Sequence, residues 1–208
     1  MSLMIIDRWF EDRRAALACM TTALLIGALS LGGESLTELL RYDRSAIFAG
    51  QWWRALSGHL VHASVGHTLL NVAGLVLIAL LFPEPLPLWR WAWRLLILSL
   101  GISALMLWRL PELGWYVGLS GTLHGLFVLG FWWLFRQGDK LAPLLLIVLI
   151  GKLVWEHFNG PITSNEALVG VPVLVEAHSY GALCAVIYLA LARLGARLSA
   201  PRTNTGDI

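Results

Sequence analysis

The chain has 208 residues, 58% of them hydrophobic and 13% charged, with a mean hydropathy of +0.71. Soluble domains carry about 45–50% apolar and about 25% charged residues, so a water-soluble domain, a disordered chain and a basic nucleic-acid binder are all excluded. The formal charge of +2 carries no information until it is mapped onto the chain.

Residues 1–14 are polar and amphipathic, with Arg8, Arg13 and Arg14. The apolar run 15–31 follows and is read as a first span. No small-residue cleavage site precedes Gly32-Gly33-Glu34, which argues against a signal peptide. A long polar loop reaches to about Ala63, and a second apolar run covers 64–82. Pro83-Glu84-Pro85-Leu86-Pro87 ends it, because three prolines cannot continue a helix. Further apolar runs cover 89–110, 119–135, 141–155 and 177–194. A span needs about 20 residues, so the length gives room for about six with short loops.

The expected fold is therefore all-α: a polytopic six-helix membrane bundle over 15–195, between a cytoplasmic segment 1–14 and a cytoplasmic tail 196–208. Six spans put both termini on one side. If that side is the cytoplasm, Arg41, Arg44, Arg54, Arg109 and Lys152 lie outside and the other ten of the 15 Lys and Arg lie inside, as the positive-inside rule requires. Cys19 and Cys184 both sit in apolar runs, so neither a disulfide framework nor a CxxC metal site is expected.

On this topology His59, His62, His67, His124, His157 and His178 lie at or toward the external ends of spans, or in the external first loop. Ionisable groups in a membrane are costly and by default mark a site. Three groups stand out. In His62-x4-His67-x3-Asn71, the last two are four apart and share one helix face. The plain alternative is a polar cap on a helix end. Zinc would call for a His-x3-His spacing or a carboxylate, which this group and His59 lack, so no metal is expected.

The second group is Gly118-Leu119-Ser120-Gly121-Thr122. Glycines around a serine permit a tight turn with N–H groups free for an oxyanion. The same residues are common at helix-packing surfaces, and Thr122 stands where a hydrolase nucleophile elbow has its last glycine. The third is Glu176-Ala177-His178-Ser179-Tyr180-Gly181. A Ser–His pair is the minimal activated nucleophile, and Gly181 would let its helix approach the one bearing Ser120. The three groups share a depth and together supply nucleophile, base and oxyanion donors.

With Trp53-Arg54 in the first loop, these motifs occur in the order seen in rhomboid intramembrane serine proteases, and over residues 50–195 the chain resembles that family. The resemblance implies Ser120 as nucleophile, His178 as general base, and His67, Asn71 and the Ser120 N–H as the oxyanion hole. It implies a structural His62, Gly118 and Gly121 as turn residues, and Trp53-Arg54 as shaping a loop in the outer leaflet. Val173 and Ala185 stand where the family's sixth helix often has glycines. His124 replaces an aromatic that packs on the catalytic His. Ser120-Gly121-x2-His124-Gly125 and Lys152-x2-Trp155-Glu156 are similar to the rhombosortase branch, associated with substrates carrying a Gly-Gly C-terminal sorting tail.

Lys152 and Glu156, four apart, are expected to form an ion pair; in rhomboids the fifth helix forms part of the gate, which puts Lys152, Trp155 and Glu156 in reach of substrate. No Asp is placed to orient His178, so the expected site is a dyad. No cofactor is expected. The partners implied are membrane lipid and a single-span protein with a C-terminal anchor. The expected location is a bacterial inner membrane with the site open to the periplasm. The competing readings are a rhomboid protease of other single-span substrates, or an inactive rhomboid-like module that grips membrane helices.

Overall fold

The computed structural model describes residues 13–161 and 166–199. Most of the two expected cytoplasmic segments, 1–14 and 196–208, lies outside the described residues. The described chain is mostly helical. Helix α1 (Arg14–Ser30) is followed by α2 (Gly33–Leu40), β1 (Tyr42–Asp43), α3 (Arg44–Phe48), α4 (Arg54–Ser57), α5 (Val65–Leu81) and α6 (Leu88–Arg109). Then come β2 (Trp115–Tyr116), α7 (Ser120–Arg136), α8 (Ala142–Asn159), α9 (Glu166–Val169) and α10 (Val175–Leu198).

Each of the six apolar runs is thus one long helix. Helices α6, α8 and α10 are long and apolar enough to cross a membrane. The pair α1–α2 makes a fourth if it is counted as one span bent by 114°, and α5 is apolar but stops at 17 residues. By length and composition alone the described residues thus give three to four spans of the expected six. Short helices need protein or water around their ends, and the loops here supply the protein.

The ends follow local chemistry. The Ser64 hydroxyl caps α5 by accepting from the His67 N–H at 3.0 Å, leaving a helix start that aims His67 and Asn71 inward. The proline run ends α5, and Glu84 within it holds Arg94 of α6 through two bonds of 2.6 and 2.8 Å. Pro143 sits in the first turn of α8, where its missing N–H costs nothing.

The loop between α1 and α5 folds over the bundle. Arg54 is buried, donating to the carbonyls of Glu38 at 2.7 Å and Arg41 at 3.1 Å and to the Gln51 side chain at 2.6 Å. Trp53 beside it stays exposed. One guanidinium thus closes the loop on itself. Strand β1 pairs antiparallel with β2, Tyr42 opposite Tyr116 and Asp43 opposite Trp115, which ties the loop to the segment that leads into Ser120. The fully buried His59 adds a bond to Ser103 of α6 at 2.9 Å, and Ser103 donates to the Ala55 carbonyl at 2.6 Å. Burial pushes the His59 imidazole down to about 4, so it stays neutral. This second Ser–His pair is sealed from any substrate and fastens loop to helix.

Helices α7 and α10 touch backbone to backbone. A Cβ on Gly121 would stand 2.7 Å from the Ala177 carbonyl oxygen, one on Gly125 2.7 Å from that of Gly181, and one on Gly181 would run into the Gly121 carbonyl. Gly181→Leu is therefore expected to destabilise the fold by at least about 1–3 kcal/mol. It should also push Ser120 away from His178; thermal unfolding in detergent and loss of serine-probe labelling check both.

Candidate active site

Ser120 is the first residue of α7, reached through Gly118, whose φ of +117° is closed to other residues. A side chain there would also meet the His67 ring, 2.6 Å from Cε1 and 2.7 Å from Nε2. The glycine therefore serves both the turn and the seat of His67. Opposite, the α7–α10 crossing brings His178 Nε2 to 3.0 Å from Ser120 Oγ. The expected nucleophile and base are in hydrogen-bond contact, 58 residues apart in sequence.

His67 and Asn71 face the same space from α5 and are both buried. Asn71 Nδ2 donates to the His67 carbonyl at 3.0 Å, which uses one of its two N–H groups. Asn71 Oδ1 and His67 Nδ1 have no hydrogen-bond partner among the described residues. Buried polar atoms without partners are uncommon and here line a cavity. His62 stands edge-on to His67, ring centroids 4.9 Å apart; burial, then the neighbouring His67, pushes its imidazole down to about 3. It supports His67 from behind.

Two cavities meet at Ser120. One, of about 340 Å³, is lined by Leu70, Asn71, Leu123, Phe127, Lys152 and His178 among others. The other, of about 260 Å³, lies toward Trp115, Tyr116 and Leu174. His67, Ser120, Val169 and Val173 border both. An extended peptide laid across Ser120 would have a space on each side of the scissile bond. Ser64 donates to the carbonyls of Leu168 at 2.7 Å and Val169 at 3.0 Å, pinning α9 as part of this wall.

The structure departs from the expected dyad at Glu156. Its Oε2 lies 2.9 Å from His178 Nδ1 and 2.6 Å from Lys152 Nζ. The expectation named no Asp behind His178; the carboxylate that reaches it is a Glu, near the far end of α8. Glu156 is only 4% exposed, so it faces His178 more than any incoming chain, although it borders the larger cavity. The expected Lys152–Glu156 pair is present. Trp155 points away, exposed on the flank of α8, and does not line either cavity.

His124 stacks on His178 with centroids 4.1 Å apart and planes 16° from parallel, the place implied for the family's aromatic. Its two nitrogens lie 2.7 Å from the Ser120 carbonyl and 2.7 Å from Lys152 Nζ. The donor atoms of His124, Glu156 and His178 fall within 4.8 Å of one another. Between His124 Nε2 and Glu156, however, sits the Lys152 ammonium, which takes the position a metal would need.

One neighbour escaped the sequence reading. Tyr116 donates to the Gly118 carbonyl at 2.7 Å, and burial pushes its phenol up to about 12 against the opposing influence of the nearby Ser120 hydroxyl. It braces the turn before the serine. Only its place two residues before Gly118 hinted at this.

No curated protein matches the chain. The family description "Rhomboid domain" matches residues 49–194, a stretch that begins just before Trp53-Arg54 and ends within α10. It contains Ser120, His178, His67 and Asn71, and covers well over half of the chain. Rhomboid proteins are polytopic membrane proteins and include intramembrane serine proteases. The chain is an integral membrane protein and belongs to the rhomboid family.

Proposed function

We propose that the protein is an intramembrane serine endopeptidase in which Ser120 is the nucleophile and His178 its base. The observation that carries this is the 3.0 Å contact between Ser120 Oγ and His178 Nε2 at the meeting of two cavities. A rhomboid-like module that only gripped helices would have no use for that pair. Ser120 Oγ attacks a peptide carbonyl carbon while its proton passes to His178 Nε2. The carbonyl π electrons move to oxygen, where His67, Asn71 and the Ser120 N–H stabilise the oxyanion. Collapse expels the amine, which takes the proton from His178. Water entering through the cavity then hydrolyses the acyl-enzyme by the same steps in reverse roles.

The substrate we infer is a single-span protein with its bulk outside and a C-terminal anchor, cut at a Gly-Gly motif, as the likeness to rhombosortases implies. Two physical requirements support it. The helix top must unwind to lay its backbone across Ser120, and Gly is about 1 kcal/mol less favourable than Ala in a helix. A glycine also lets the substrate backbone come close to Ser120 Oγ, which stands where two cavities meet. The location that fits is a bacterial inner membrane, both termini cytoplasmic and the cavities open to the periplasm.

The test presents anchored tails with Gly-Gly intact or replaced by Val-Val, in membranes holding wild-type or Ser120→Ala protein. Cleavage of the Gly-Gly tail alone, by wild type alone, is expected. Equal cleavage of both tails by wild type would leave a rhomboid protease of broader substrates in its place.

A further inference from the structure

His178 is held from three directions, by Glu156, Ser120 and the stacked His124 ring, and the tautomers this imposes can be worked out from donor capacity alone. A Lys ammonium only donates, so at 2.7 Å from Lys152 Nζ the His124 Nε2 must accept. A neutral His124 then carries its proton on Nδ1, which donates to the Ser120 carbonyl at 2.7 Å. An ionised carboxylate only accepts, so the 2.9 Å contact from His178 Nδ1 to Glu156 Oε2 places the His178 proton on Nδ1. That leaves Nε2 as the acceptor facing Ser120 Oγ at 3.0 Å. Every bond in the ring of contacts is satisfied by one arrangement of protons, and it is the one in which the imidazole can take a proton from serine.

Charge completes the case. Glu156 is 4% exposed and Lys152 28%, and a buried carboxylate is tolerable only with a partner. The Lys152 ammonium at 2.6 Å supplies it and is held in turn by His124, whose ring is stacked on His178. From these contacts we infer that Glu156 is a positioning residue: it completes a Ser120–His178–Glu156 relay, with Lys152 as the counter-charge that allows the carboxylate to sit behind the imidazole. As the imidazolium forms during attack on the peptide, Glu156 stabilises it without taking its proton. The inference rests on the protease reading above and deepens it.

The test compares the full-length protein in detergent or vesicles as wild type, Ser120→Ala, Glu156→Gln, Lys152→Met and the Glu156→Gln/Lys152→Met pair. Glutamine keeps the shape but offers no charge and allows the opposite tautomer. Glu156→Gln is expected to lower kcat by about 10²–10⁴, the range bounded by loss of the orienting acid in a serine protease, with KM changed less than about twofold. Fluorophosphonate labelling of Ser120 should slow in parallel. Lys152→Met should reduce kcat by itself yet add little to Glu156→Gln, because both act through one carboxylate.

A readout on the unaltered protein guards against misfolded variants. Wild type should show a proton resonance far downfield of the backbone amides, from His178 Nδ1–H on the carboxylate, and His178→Ala should lack it. Absence of that resonance in wild type would overturn the relay. So would Glu156→Gln that cleaves and labels within about twofold of wild type, or activity lost to a chelator and restored by Zn²⁺. In each of those cases an inactive Ser120→Ala would leave the protease reading standing. Full cleavage by Ser120→Ala would instead remove that reading itself.

Discussion

Ser120→Ala and His178→Ala are each expected to lower cleavage of an anchored substrate by at least about 10⁴, with insertion and thermal unfolding little changed. The size follows from how the pair works. A serine hydroxyl is a poor nucleophile until a base takes its proton during attack, and residues that act as one unit lose nearly everything when either is removed. Their double variant should therefore be scarcely worse than either single one. The fold should survive because the α7–α10 contact is made by glycine backbones at 121, 125 and 181 and not by these side chains. Labelling by a fluorophosphonate probe gives the same answer without a known substrate: it should be lost in Ser120→Ala and slowed in proportion in His178→Ala. Full activity of either purified variant would sink the pair.

The second large effect is expected at the oxyanion donors. His67→Ala and Asn71→Ala should each reduce kcat by about 10²–10³, equivalent to about 2.7–4 kcal/mol, while KM moves little. The split arises because a donor aimed at a developing charge contributes mainly in the transition state. Both residues are buried at the cavity edge, and His67 is seated against Gly118, so their positions are fixed before substrate arrives. If both variants raised KM and left kcat unchanged, the two side chains would be reassigned to substrate binding. Gly118→Ala should mimic His67→Ala, since the added methyl displaces that ring and the turn resists a side chain.

Much of this architecture can be read in the sequence because membrane solvent imposes local rules. Six apolar runs became six long helices within one or two residues at most ends. The proline run at 83–87 ended α5 where it stands. The contact of Ser120 with His178 was also legible, since their places at matching ends of two helices and Gly181 three residues after His178 are properties of the linear pattern. Arg54 was expected to shape its loop, and it does so through the carbonyls of Glu38 and Arg41.

What the linear pattern could not supply was the direction of side chains across helices. Lys152 and Glu156 are neighbours on one helix turn, so their ion pair follows from spacing alone. That the same carboxylate oxygen also reaches His178 depends on how α8 leans against α7 and α10, and that is a tertiary quantity. Tyr116 reaches the Gly118 carbonyl because β1 and β2 hold the loop against the bundle, a pairing too short to carry a strand signature. Hydropathy and spacing thus determined the helices and which polar groups stand near their ends, because each is set by solvent or by helix period. The acid behind His178, the brace behind Ser120 and the two cavities beside it were decided only by packing, where groups far apart in the chain meet at distances of about 3 Å.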